Sequence, residues 1–115
     1  MSKEHEKIFS EVLKKLMVLN PKLVMVFGSY AKNNFSEVSD LDLLVVLNTD
    51  KVPENYDEKL EMKLKVRKAI RELNKKIAID LLVYTTPEYI AFTKSESSFS
   101  KELQESGKII YEKEN

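Results

Sequence analysis

Two apolar runs bracketing a polar loop constrain this chain more than any other stretch. Leu23-Val24-Met25-Val26-Phe27 leads into Gly28 and Ser29, and the chain later re-enters an apolar run, Leu43-Leu44-Val45-Val46-Leu47, through Asp40-Leu41-Asp42. Both runs are short, and β-branched and large aliphatic residues dominate them, so they read as strands. Gly28 permits positive φ and lets backbone N–H groups come close to a ligand. Ser29 adds a hydroxyl or caps the short helix expected over Ser29 to about Asn33, whose N-terminus would face a phosphate chain. Side chains alternate along a strand, so Asp40 and Asp42 are expected to point to one face. The strand behind them is apolar on both faces and therefore expected to be buried. Two anions at its mouth call for a cation, and hard carboxylate oxygens suit Mg²⁺ or Mn²⁺.

A third carboxylate interrupts Ile77-Ala78-Ile79-Asp80-Leu81-Leu82-Val83-Tyr84. An unpaired charge inside a buried strand is costly, which marks Asp80 as a ligand or a base. With this strand beside the one carrying Asp40 and Asp42, three carboxylates would converge. Such a cluster can hold two divalent ions roughly 4 Å apart. Asp80 would also be placed to take a proton from an attacking hydroxyl.

Gly28-Ser29, then Asp40-Leu41-Asp42, then a downstream strand aspartate at Asp80, resembles the minimal nucleotidyltransferases of the DNA polymerase beta superfamily. In size and layout the chain is most similar to the antitoxin partners of HEPN-type toxins. The resemblance runs nearly the whole length, through Gly107-Lys108-Ile109-Ile110-Tyr111. It implies an α/β (α+β) fold, a small mixed sheet with helices packed on it. The implied chemistry is attack of an acceptor hydroxyl on the α-phosphate of ATP with loss of pyrophosphate. Asp40, Asp42 and Asp80 would be the catalytic residues and the ligands of two Mg²⁺ ions, and Gly28, Ser29 and Lys32 would bind the nucleotide. In the antitoxin branch the acceptor is a tyrosine of the toxin, which AMP addition silences within a hetero-oligomer. Many members follow the serine with arginine or tyrosine, then alanine, arginine and glycine; here the run is Tyr30-Ala31-Lys32-Asn33. Lys32 keeps the charge without the bidentate guanidinium fork, and asparagine at Asn33 still tolerates left-handed φ. Two alternatives stand beside this reading: a nucleotide-binding antitoxin that acts by complex formation alone, and nucleotidyl transfer to a small molecule.

The chain's 115 residues are enough for one domain, 1–115, and too few for a separate acceptor-binding domain, so the second substrate is expected to be small or brought by a partner. Its 19 basic and 19 acidic residues cancel, which argues against holding a long nucleic acid by charge and against a templated polymerase. No cysteine, long apolar run or secretory leader is present, and the expectation is a cytoplasmic protein without disulfides or a membrane segment.

Around the two strands, helical spacing predicts a first helix over Lys3 to Leu19, stopped by Asn20-Pro21, and a long one over Tyr56 to Asn74. Lys63, Lys65, Arg67, Lys68, Arg71, Lys75 and Lys76 give the second helix a basic half, expected to be a solvated face. Thr85-Thr86-Pro87-Glu88 carries helix-start chemistry for a helix through about Phe92. A further short helix over Phe99 to Glu105 and a closing strand from Lys108 to Tyr111 complete the expected order.

Overall fold

The two apolar runs pair with each other. Strand β1 (Pro21–Phe27) lies antiparallel to β2 (Leu41–Leu47). Strand β3 (Ile79–Thr85) joins the far side of β2 in parallel, and β4 (Lys108–Glu112) joins β1 antiparallel. The resulting four-stranded mixed sheet has the order β3-β2-β1-β4. The computed structural model describes residues 3–28, 31 and 40–114. The short helix expected over Ser29 to Asn33, and with it Ser29 and Lys32, lies outside the described residues.

Helices cover both faces of the sheet. Helix α1 (Lys3–Leu16), helix α2 (Tyr56–Ala69) and the short α3 (Arg71–Asn74) pack on one face. Their Phe9, Val12, Leu16, Val66, Ile70 and Leu73 meet Val24, Val26, Leu41, Leu43, Val45, Leu81 and Val83 from the strands. Helices α4 (Thr86–Lys94) and α5 (Ser98–Ser106) cover the other face, where Leu103, Tyr89 and Phe92 meet Leu23, Met25, Leu44 and Val46. The alternation of odd and even strand residues between the two clusters follows from the pleat. Among the described residues, strand β2 alone supplies fully buried residues to both faces, as its unbroken apolar run requires. Each of Leu41, Leu43 and Leu44 is fully buried, worth about 1.5–3 kcal/mol apiece relative to exposure.

The helix starts are chemically explicit. The Asn55 side chain accepts from the Glu58 N–H at 2.9 Å to cap α2, and Ser97 Oγ accepts from the Ser100 N–H at 3.1 Å to cap α5. At α4 the Glu88 carboxylate reaches back to the Thr85 N–H at 2.9 Å, with Pro87 in the first turn.

Three expectations need correction. The first helix ends as α-helix at Leu16, and Met17–Leu19 form a 3₁₀ turn. Met17 and Val18 point outward there, so no burial favours another α turn, and Asn20 in the left-handed region (φ 50°) swings the chain into Pro21. That proline opens β1, a position that needs no N–H from it. The long helix breaks at Ile70 (φ −107°, ψ 15°), whose side chain is buried; the offset turn of α3 then buries Leu73. Of the basic residues expected to be solvated, Lys65, Arg67, Lys68, Arg71, Lys75 and Lys76 are exposed, whereas Lys63 is half-buried.

The third correction concerns Asp80. Strand β3 is an edge strand, and Asp80 is exposed there rather than enclosed in a buried strand. Burial of alternate residues in β3 comes from one neighbouring strand and the flanking helices, not from a strand on each side. The edge is guarded farther along, where the Lys59 ammonium reaches from α2 to donate to the Val83 carbonyl at 2.6 Å. The same ammonium meets Glu88 Oε1 of α4 at 2.9 Å and lies 5.0 Å from the centre of the Tyr84 ring. A lysine over a strand edge blocks further strand pairing.

Candidate active site at one end of the sheet

The end of β1 and the beginnings of β2 and β3 meet at the same margin of the sheet. Phe27 is opposite Asp42, and Asp42 stands beside Asp80 in the parallel register. Asp42 shares its face with Leu44 and Val46, and Asp80 shares its face with Leu82 and Tyr84, so both carboxylates belong to the side covered by α4 and α5. Asp40 stands one residue before β2 and is exposed.

Gly28 follows β1 with φ at +73°, the left-handed region that glycine enters without a Cβ penalty. A Cβ placed on it would also overlap the Asp42 carboxylate. Glycine is thus required here both by the turn and by the close approach of the acid.

The electrostatics tie the three aspartates together. Partial burial pushes the Asp42 carboxyl above its usual range, and the negative charges of Asp80 and then Asp40 push it further the same way. The ionised form of Asp42 is therefore disfavoured in the folded protein, a condition that a bound cation relieves. Among the described residues no group of three or more His, Cys, Asp or Glu side chains is arranged to hold a metal ion by itself. That does not conflict with magnesium chemistry. Mg²⁺ is commonly held by one or two carboxylates together with substrate phosphates, and not by a complete protein cage. The all-oxygen, multiply anionic set of Asp42, Asp80 and Asp40 fits such an ion.

Beside Asp42 the surface sinks into a cleft of about 220 Å³. Its walls are Phe27, Gly28 and Asp42 from the sheet and Phe99, Glu102, Leu103 and Ser106 from α5. The α5 residues were not singled out from sequence, although their spacing of three, one and three is the signature of one helical face. A larger cavity, about 770 Å³, lies at the other end of β2 against α2, away from all three aspartates.

The fold is that of a nucleotidyltransferase. Residues 6–115 match the family model described as polymerase beta, nucleotidyltransferase, and the chain belongs to that family. A search of curated proteins finds no match. Among solved structures, a toxin–antitoxin crystal structure with AMP-PNP aligns with a TM-score of 0.56 at 19% identity, covering 92% of this chain and 74% of the other. A toxin–antitoxin MntA-HpeT variant with two aspartates changed to glutamate aligns with a TM-score of 0.52 at 18% identity, covering 92% and 74%. A second MntA-HpeT variant, with a tyrosine changed to alanine, aligns at 0.53 and 17% identity, covering 91% and 72%. At these identities the likeness establishes the shared fold.

Proposed function

We propose that this protein is an antitoxin that transfers AMP from ATP to a tyrosine of a cognate HEPN-type toxin, with Mg²⁺, inside a complex of the two proteins in the cytoplasm. The observation that carries the reading is the pairing of Asp42 with Asp80 at one register position, on one face, beside the left-handed Gly28. Membership of the nucleotidyltransferase family and the toxin–antitoxin identity of structurally similar proteins support it. So does the bound AMP-PNP in one of those structures.

Asp40 and Asp42, with Asp80, would hold two Mg²⁺ ions, which when bound supply charge neutralisation to the phosphates and alignment for displacement. Gly28 and Ser29 would hold the β- and γ-phosphates through backbone N–H groups and the serine hydroxyl, with Lys32 offsetting their charge. Asp80 accepts the proton of the tyrosine hydroxyl as its oxygen bonds to the α-phosphorus and the bond to pyrophosphate breaks. Its exposure on an edge strand suits an acceptor carried on another protein.

The test is the intact mass of a candidate toxin after incubation with this protein, ATP and Mg²⁺, alongside Asp42→Ala and Asp80→Ala. The expected result is a gain of whole AMP units that both variants abolish. An unmodified toxin that is nevertheless bound and inhibited would replace transfer with inhibition by complex formation. Neither gain nor complex would redirect the search to small-molecule acceptors.

A further inference from the structure

From the geometry of the cleft we infer that Phe99 is the stacking platform for the nucleobase of the donor nucleotide, and so a specificity-determining residue of the site. This inference rests on the nucleotidyl-transfer reading above. Phe99 stands in the first turn of α5 and is 42% exposed, unusual for a phenyl ring that already has aromatic neighbours. Its ring centre is 5.7 Å from that of Phe27 at 70° and 5.7 Å from that of Phe92 at 63°. Phe92 in turn packs on Tyr84 at 5.3 Å. The row of rings holds Phe99 in place from two sides while leaving part of it bare over the cleft. Edge-to-face neighbours fix a ring's orientation and leave a face for a further partner.

The cleft that Phe99 walls is continuous with Gly28 and Asp42. Its volume, about 220 Å³, suits one flat ring and not a whole nucleoside triphosphate. Leu103, only 2% exposed, supplies an apolar floor, and Glu102 and Ser106 bring polar groups from the same helical face. An apolar slot with a few polar groups is the usual form of a base pocket.

Strand order decides which substrate takes the slot. Crossing the sheet from its edge, Asp80 on β3 comes first, Asp42 on β2 next, and Phe27 with Gly28 at the end of β1 last. The base that receives the acceptor's proton and the aromatic slot thus stand on opposite sides of Asp42. An acceptor approaching Asp80 leaves the slot to the other reactant, whose phosphates are expected at Gly28.

The test is calorimetric binding of AMP-PNP and of inorganic tripolyphosphate, each with Mg²⁺, to the wild type, Phe99→Ala and Phe99→Trp. Loss of base stacking is expected to weaken AMP-PNP binding to Phe99→Ala by about tenfold or more. Tripolyphosphate binding should be unchanged, and Phe99→Trp should restore AMP-PNP affinity. Wild-type affinity of Phe99→Ala for AMP-PNP would overturn the inference, including the case in which only the KM for the acceptor rises, which would give the ring to the acceptor. Equal loss of AMP-PNP and tripolyphosphate would also overturn it, reducing Phe99 to a structural role. A wild type that binds neither ligand would remove the nucleotidyl-transfer reading itself, and this inference with it.

Discussion

At Gly28 a positive φ and the neighbouring Asp42 carboxylate act on the same atom that glycine lacks. Gly28→Ala should cost about 1–3 kcal/mol of stability from backbone strain, read from urea denaturation, and should displace Asp42 and lower nucleotide affinity. An alanine variant as stable as the wild type would show that the turn relaxes freely. Asp42 presents the opposite balance. Its carboxyl titrates above its ordinary value of 3.8 because burial and the charges of Asp80 and Asp40 disfavour ionisation. The folded state therefore binds this proton more tightly than the unfolded chain, and the stabilisation is complete below the unfolded pKa and lost as pH rises through the folded one. At neutral pH, without ligand, Asp42→Asn should thus be more stable than the wild type, by roughly 0.5 kcal/mol, while losing the AMP transfer proposed above. The gap in melting temperature should close as pH is lowered toward 4, and a gap independent of pH would point to a cause other than ionisation.

Between elements, Lys59 joins α2 to the β3 edge and to the start of α4. Burial alone would raise the Glu88 carboxyl, but the Thr85 N–H and the Lys59 ammonium outweigh it and hold the group below its ordinary 4.5. A depressed folded pKa contributes stability above the unfolded value that is lost as pH falls through the folded one. A double-mutant cycle of Lys59→Met with Glu88→Gln should give a coupling of about 0.5–1 kcal/mol at neutral pH, within the range for a partly exposed pair. The coupling should fade as the buffer is taken below pH 4.5, and one that persisted in acid would exclude the ion pair as its source.

The same elements show what the sequence could convey. Local chemistry was readable: Thr85-Thr86-Pro87-Glu88 does start a helix, and the double-sided apolar run of β2 announces a central strand. Non-local pairing was not. Nothing in Ile79–Thr85 distinguishes an edge from an interior strand, because flanking helices bury Leu81 and Val83 as well as a second strand would, and so Asp80 looked enclosed. For the same reason Asp40, Asp42 and Asp80 could be nominated from spacing, whereas Phe99 could not: its place beside Phe27 depends on where α5 lands on the sheet.

Over the whole molecule, the two faces of the sheet are unequal. Among the described residues, thirteen buried hydrophobic residues form the cluster under α1, α2 and α3, and five form the one under α4 and α5. Opening free energy scales with the apolar contacts that must be broken, so the α4–α5 layer should open before the rest of the protein. That layer is also the wall of the cleft beside Asp42. In native-state hydrogen exchange the amides of β2, paired on both sides, should approach the global unfolding free energy, and those of α5 should fall well below it. Leu103→Ala, which empties a fully packed site on the thinner face, should cost about 2–4 kcal/mol and lower α5 protection further. A ligand seated against α5 stabilises the closed layer by its binding free energy. AMP-PNP with Mg²⁺ should therefore raise protection in α5 more than in α1. Uniform protection across both helical layers, with or without nucleotide, would mean that the smaller cluster does not set a separate opening unit and that the cleft is rigid before substrate arrives.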